Sequence, residues 1–434
     1  MTAIAKTAAF SARNGLAYGL LGLPLAFVAL PLYVILPNHY ARAFGVPLAT
    51  LGAILLGARL FDALIDPLIG RLSDRLFARS ATSVLALGAV AALVLAAGFA
   101  LLFFPPAHSP IPLTLWAGLM LVITYAAYSA LSVSHQSWGA MLGGDETQRS
   151  RIVAWREGLG LIGVLAASVT PVVFGLGPTA VLFALLLVAG WIAWSRAVRP
   201  TAAAREAAVD HQNGSSPLWR PFRHTAFRRL LGVFLLNGIA SAVPATLVLF
   251  FIQDRLQAPL SMEPLFLGTY FMSAALSIPL WLALVKRIGL ARAWLCGMLL
   301  AIAVFGWATQ VGAGQTTAFI AICALSGLAL GTDLALPGAL LAGVIQANGD
   351  SGKAEGAYFG WWNFATKLNL ALAAGLALPL LGLFGYAPGV RDGQALGALV
   401  VAYCVLPCAL KLAAAAGLYF LIIRPAPSGG RVLS

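Results

Sequence analysis

The chain has 434 residues, of which 61% are hydrophobic and only 9% are charged. No soluble domain can cover a watery surface from so small a polar stock, so the bulk of this chain belongs in lipid. The formal charge of +13 would suggest nucleic acid in a soluble protein, but the placement of the basic residues removes that reading.

The opening stretch MTAIAKTAAFSARNG carries Lys6 and Arg13 but no short apolar core followed by a small-residue cleavage site. The sequence therefore predicts no cleaved signal peptide, and the first apolar run stays as a span. A bilayer core of about 30 Å needs roughly 20 apolar residues per helix. Apolar runs bounded by charges or Pro/Gly turns fall at 16–37, 47–70, 81–104, 112–142, 152–175 and 177–195. After a polar stretch they resume at 229–252, 264–285, 293–312, 316–346, 355–384 and 394–423. Between the two sets, residues 196–228 hold Arg196, Arg199, Arg205, Arg220, Arg223 and Arg228 around QNGSSP, too polar to span and too short for a domain. The expectation is an all-α membrane protein of twelve transmembrane helices: a six-helix bundle over 1–195, a cytoplasmic linker over 196–228, and a second six-helix bundle over 229–434.

With a cytoplasmic N-terminus, the inner segments collect Lys6, Arg13, Arg71, Arg75, Arg79, Arg149, Arg151, the linker arginines, Arg229, Lys286, Arg287, Arg292, Lys353, Arg424 and Arg431. The outer loops keep only Arg42, Arg255 and Arg391. This imbalance places both termini in the cytoplasm and turns the positive charge toward anionic headgroups. Proline and glycine interrupt several spans, at Pro24, Pro31, Pro67, Pro279 and Pro337 among others.

A few ionisable residues remain inside the spans: Arg59, Asp62 and Asp66 in the second, Arg156 and Glu157 near the inner end of the fifth, Asp333 in the tenth and Lys367 in the eleventh. Each costs roughly 2.5–3.5 kcal/mol at the centre of a helix facing lipid, so each must face the bundle interior, water or an opposite charge. In GARLFDALIDPLIG the spacing of Arg59, Asp62 and Asp66 is i, i+3, i+7, which sets one cation and two carboxylates on one helix face. Two acids four residues apart repel in low dielectric unless a cation lies between them. The face reads as a site for a proton or Na⁺, with Arg59, Arg156 or Lys367 replacing the ion when it leaves. The alternative is a static salt-bridge network closing the halves.

Asp333, among Gly331, Thr332 and Pro337, is a polar interruption of the tenth span and a weaker candidate for substrate or ion contact. His135 in LSVSHQSWG has the ring to titrate near neutral pH, against the alternative of a hydrogen-bonded structural histidine. Trp138 and Trp362 are the aromatic candidates for a substrate cavity. Cys296, Cys323, Cys404 and Cys408 all fall in apolar segments and imply neither disulfides nor zinc. No Ser/His/Asp grouping, metal-ligand cluster or glycine-rich phosphate loop supports a membrane-embedded enzyme.

At the inner end of the second span, Gly70-Arg71-Leu72-Ser73-Asp74-Arg75 resembles the G-x-L-a-D-R signature of the major facilitator superfamily, between its second and third helices. Gly70 permits close helix packing, Asp74 can meet a helix N-terminus or an arginine, and Arg75 with Arg79 holds it as a conformational latch. The stretch Arg59-Leu60-Phe61-Asp62-Ala63-Leu64-Ile65-Asp66-Pro67-Leu68-Ile69-Gly70 resembles the R-x-x-D-A-x-x-D-P-x-x-G pattern of the glycoside-pentoside-hexuronide:cation symporters, the melibiose-permease-like branch. Trp138 to Met141 followed by Asp145, Glu146, Arg149 and Arg156 looks like that branch's passage from helix four into five. Pro337 to Lys367, with Glu355-Gly356, Phe359-Gly360, Trp362, Phe364 and Lys367, looks like its tenth-to-eleventh segment.

The resemblance implies a major facilitator fold, cation binding by Asp62 and Asp66, Arg156 in the cavity wall, and Lys367 competing with the cation. The sequence departs from the branch where its sugar-binding acids stand: Gly22 to Val28 is apolar, the helix-four acid falls near Ser134, and Ile65 lies between the two aspartates. The same branch includes sodium-dependent lysolipid symporters. The expected function is therefore H⁺- or Na⁺-coupled symport of a small organic solute, a sugar or glycoside or a lipid-like amphiphile, with a proton-driven exporter as the alternative. No cofactor, no nucleic-acid partner and no metal beyond Na⁺ at Asp62 and Asp66 is expected. The chain is expected to be a monomeric multi-pass protein of the cell membrane, the inner membrane if bacterial.

Overall fold

A computed structural model describes residues 11–424 apart from 45, 47, 107–109, 201–217, 384–385, 387–388 and 390. Most of the expected linker, residues 201–217, thus lies outside the described residues. Among the described residues all regular structure is helical. Nine helices among them are long and apolar enough to cross a membrane.

The first helical rod, α1, is broken: Ala12–Gly19, Gly22–Phe27, a π turn at Pro31–Ile35 and Leu36–Phe44. Its start is capped by Ser11, whose Oγ accepts from the Asn14 N–H at 3.3 Å. The π turn follows from Pro31, which has no N–H to continue the i→i−4 ladder. Then come α2 (Leu48–Arg79), α3 (Ala81–Phe103), α4 (Pro110–Met141), α5 (Glu146–Phe174) and α6 (Leu176–Ser195). Asp145 caps α5 by accepting from the Gln148 N–H at 2.7 Å. At about 1.5 Å per residue, the 32 residues of α2 are longer than the hydrocarbon core is thick and carry its last turns past it toward α3.

Two compact units divide the chain, Met1–Arg223 with Ile345–Phe364, and His224–Val344 with Ala365–Ser434. In the first unit α2 and α3 pack on α4, while α1 crosses α5. That crossing depends on missing side chains. A Cβ at Gly19 would lie 2.7 Å from the Trp155 carbonyl oxygen, and one at Gly163 would overlap the Leu23 carbonyl. Phe27, Phe99 and Phe183 fill the core between these helices, with the ring centroids of Phe99 and Phe183 4.7 Å apart.

In the second unit α7 (Thr225–Phe250) ends in a π turn, Phe251–Arg255, and is followed by α8 (Glu263–Ile288), α9 (Leu290–Ala308), α10 (Thr316–Ala347) and α11 (Glu355–Leu383). The last rod, α12, runs from Gly393–Val400 through a π turn, Val401–Val405, into Leu406–Leu418 and a closing π turn, Tyr419–Ile423. Helices α7 and α9 pack on α12, and Phe251 stacks on Tyr403 at 4.3 Å. The turn from α10 into α11, residues 345–364, packs with the first unit.

Candidate functional site

At about 100° per residue, Arg59, Asp62, Asp66 and Gly70 fall within an arc of about 80° on α2. The opposite side is an exposed apolar stripe, Phe61, Leu64, Leu68 and Leu72, suited to lipid. Asp62 and Asp66 are only 2% and 0% exposed, so both carboxylates are held inside protein. Arg59 is exposed, on the side turned away from the apolar stripe.

Helix α4 supplies the oxygen atoms around this face. Ser129 Oγ donates to Asp62 Oδ1 at 2.7 Å. The Tyr125 hydroxyl lies within electrostatic reach of Arg59 and Asp62, and that of Tyr128 within reach of Arg156, Asp62, Glu157 and Asp66. One patch of α2, α4 and α5 thus gathers the carboxylates and Arg156 around Tyr128. Arg156 itself is paired with Glu157 rather than with either aspartate. It also donates to Ser132 Oγ at 3.4 Å and, with the Gln136 amide turned to match its neighbours, to the Gln136 oxygen at 2.9 Å. In that orientation the Gln136 nitrogen donates to Asn363 Oδ1 at 3.1 Å. Lys367, on α11, is half-buried and belongs to the second unit.

The C-terminal end of α2 meets a helix N-terminus. Asp74 accepts from the Gly356 N–H at 2.6 Å and the Ala357 N–H at 2.9 Å, so both carboxylate oxygens are spent on the first turn of α11. Burial pushes the Asp74 carboxyl well above the usual carboxylate range, with the charge of Glu355 adding, while the two amides pull it back. A Cβ at Gly70 would overlap the Gly356 carbonyl oxygen, and one at Gly356 would overlap the Gly70 carbonyl oxygen. The two backbones therefore touch. Arg75, expected to hold Asp74, is exposed, and the bonds to Asp74 come from backbone amides instead. Other ties fix the same turn: Arg149 donates to Gln346 Oε1 at 2.7 Å, and Arg220 pairs with Asp350 at 2.7 Å. The Tyr358 hydroxyl reaches the second Asp350 oxygen at 2.8 Å.

Two aromatic expectations meet a packed core. Trp138 is 0% exposed, donates from Nε1 to the Val198 carbonyl at 2.9 Å and packs edge-on against Trp194 at 5.4 Å. No surface of it is left for a cavity, because the C-terminal ends of α4 and α6 close over it. His135 is likewise fully buried, stacked on Tyr18 at 4.3 Å, with Nε2 on the Tyr18 carbonyl at 2.8 Å and the Tyr18 hydroxyl on its own carbonyl at 3.0 Å. These contacts make it a clamp between α1 and α4. Trp362 is 6% exposed in the first unit.

Asp333 is not a lone polar interruption. Lys411 of α12 pairs with its Oδ2 at 2.9 Å, Ser241 donates to the same oxygen at 3.2 Å, and Asn237 and Trp294 donate to Oδ1 at 3.0 and 2.8 Å. Lys411 also donates to Asn237 Oδ1 at 2.8 Å and Ser241 Oγ at 3.2 Å. Sequence reasoning passes over Lys411 although it carries the signal that flags Lys367, one lysine in an apolar run; its pairing with Asp333 spans 78 residues and leaves no local pattern.

The sequence matches the family described as MFS/sugar transport protein over residues 15–424. The chain belongs to this family. As a member of the major facilitator superfamily, in its melibiose-permease-like branch, it is a multi-pass membrane transporter and not an enzyme. No curated protein matches it in sequence. Among solved structures it is similar to a bacterial homologue of the iron transporter ferroportin in the outward-facing state, with TM-score 0.67 and 16% identity over 95% of this chain and 99% of that one. It is also similar to the E. coli fucose:proton symporter, with TM-score 0.69 and 15% identity over 94% of this chain and 99% of that one. These likenesses establish the major facilitator fold.

Proposed function

We propose that this protein is a cation-coupled secondary transporter of twelve spans with both termini in the cytoplasm, in which Asp62 and Asp66 hold the coupling H⁺ or Na⁺. The ion drives symport of a small organic solute, a sugar or glycoside or a lipid-like amphiphile, by alternating access. The observation that carries this reading is the burial of two carboxylates one turn apart on α2, with Ser129 and Tyr128 beside them. A bound cation or proton relieves their repulsion, and its departure leaves a charge that arginine or lysine must meet. Arg59 and Arg156 are the charges we assign to this role, and Lys367 is the competitor that the family resemblance implies. The Asp74 cap on α11 is the proposed latch, with Gly70 as the residue that lets the backbones meet. The fucose:proton symporter, alike in fold, joins a sugar to a proton, which favours that pairing as one of the two solute classes.

The test is gradient-driven uptake of glycosides and lysophospholipids into vesicles under imposed H⁺ or Na⁺ gradients, with the Asp66→Asn protein beside the wild type. Accumulation should vanish in the variant while the protein stays in the membrane. Unchanged accumulation under both gradients removes the coupling assignment. Inverted and right-side-out vesicles separate symport from a proton-driven exporter using the same acids.

A further inference from the structure

The second unit contains a cavity of about 160 Å³ walled by Phe266, Tyr270, Phe271, Phe305, Ile322 and Tyr403, with the Asp333–Lys411 pair and Ser241 at one end. We propose that this cavity binds the apolar body of a net-neutral aromatic or short alkyl compound, carrying at most a hydroxyl or carbonyl as its polar group. The inference rests on the transporter reading only in taking that compound as cargo, and it selects the amphiphile over the sugar.

The network at the polar end sets the charge of the ligand. Lys411 has three N–H donors, and three acceptors meet them: Asp333, Asn237 and Ser241. Asp333 accepts four bonds, two on each oxygen, from Asn237, Trp294, Ser241 and Lys411. Donors and acceptors are matched and the net charge is zero. A ligand anion or cation would have to break this pair and leave one buried partner uncompensated. A neutral ligand leaves it intact.

The cavity wall excludes a sugar from this place. Apart from the closed network, the polar groups on the cavity wall are the Tyr270 and Tyr403 hydroxyls, Ser326 and Cys323. Ser326 Oγ already donates to the Cys323 carbonyl at 3.2 Å. The Tyr270 and Tyr403 hydroxyls, which make no hydrogen bond to any described residue, are the partners open to a ligand oxygen. A sugar would bring several hydroxyls and leave most of them unpaired in an apolar chamber. A benzene-sized body fits, since a dry cavity of about 150 Å³ lined by aliphatic and aromatic side chains binds benzene.

The probe is trifluoromethyl-diazirinyl benzyl alcohol, a neutral photolabel, applied to the full-length protein in lipid nanodiscs, with labelled residues mapped by mass spectrometry. Labels are expected on Phe266, Tyr270, Phe305 or Tyr403. Excess para-ethylphenol should lower them roughly tenfold, whereas para-ethylbenzoic acid and para-ethylbenzylamine, charged at neutral pH, should leave them. Ala301→Phe, which fills the cavity, should abolish labelling, and Ala329→Leu serves the same purpose should the first variant fail to fold.

Equal competition by either charged compound overturns the proposal, as does labelling that survives both fillings. Labels confined to the lipid-facing Leu276 and Leu280 also overturn it, and so does cavity labelling by a photoactivatable phosphatidylcholine that para-ethylphenol does not displace. Neutral-selective labelling in a protein whose uptake is unaffected by Asp66→Asn would leave this site standing and remove the coupling reading instead.

Discussion

Lys411 on α12 and Asp333 on α10 form a 2.9 Å ion pair in which every N–H of the lysine has an acceptor. With the lysine 8% and the aspartate 14% exposed, both charges have little water to fall back on. Replacing Lys411 by Met leaves a buried carboxylate without its cation and should cost about 3–5 kcal/mol of stability. The double variant Lys411→Met with Asp333→Leu removes both charges and should recover most of that loss. Denaturant unfolding of the purified proteins in detergent checks this; a double variant less stable than the single one would show that the pair is not the source of the cost.

The α2–α11 cap predicts a local effect. Asp74→Ala removes the acceptor for the Gly356 and Ala357 amides at once, and the loss of such a cap costs about 1–2 kcal/mol. Hydrogen exchange should speed up at those two amides and their neighbours in the first turn of α11, while exchange in α9 stays as it was. Gly356→Ala should be more damaging, since the added methyl meets backbone at Gly70 with no flexible side chain to yield.

These two contacts also mark how far the sequence could be read. Apolar run lengths, the arginine-rich segments between them and the i, i+3, i+7 charges of α2 are local or periodic signals, and the helical architecture follows from them. The burial of Asp62 and Asp66 on a face opposite Leu64 and Leu68 follows from helix periodicity alone. Partner identity does not. Asp333 with Lys411, Asp350 with Arg220, and Asp74 with the amides of α11 join residues 78, 130 and 282 apart, at distances that no spacing rule encodes. The charge pattern offers Arg156 as one of three cations able to replace the ion at the aspartates, but it does not reveal that Arg156 pairs with its own neighbour, Glu157.

Trp138 gives a prediction that separates packing from cargo contact. Its indole N–H holds the Val198 carbonyl and its ring lies against Trp194 and Phe77, all within the first unit. Trp138→Phe keeps an aromatic body but loses the hydrogen bond, at a cost of roughly 1–3 kcal/mol through the unmet carbonyl. The thermal midpoint should fall while the KM for any transported solute is unchanged. A raised KM at unaltered stability would return Trp138 to the cavity wall.

Ser129 offers the finest test of the carboxylate site, because it touches Asp62 without carrying charge. Its hydroxyl donates to Asp62 Oδ1 at 2.7 Å from α4, fixing the orientation of the carboxylate proposed to meet the ion. Ser129→Ala removes one hydrogen bond to a charged group, worth about 1.5–3 kcal/mol. If the bond chiefly stabilises the ionised carboxylate, its loss lets Asp62 hold a proton more readily, and Na⁺ affinity should weaken most at low pH. If the bond chiefly orients the carboxylate, affinity should fall by a similar factor at every pH. Isotopic Na⁺ binding to the purified protein across pH, where Na⁺ is the coupling ion, distinguishes the two; under proton coupling the same variant shifts the pH dependence of uptake upward. A Ser129→Ala protein with wild-type ion affinity and an unmoved pH profile would place Asp62 outside the ion site and leave Asp66 to carry it.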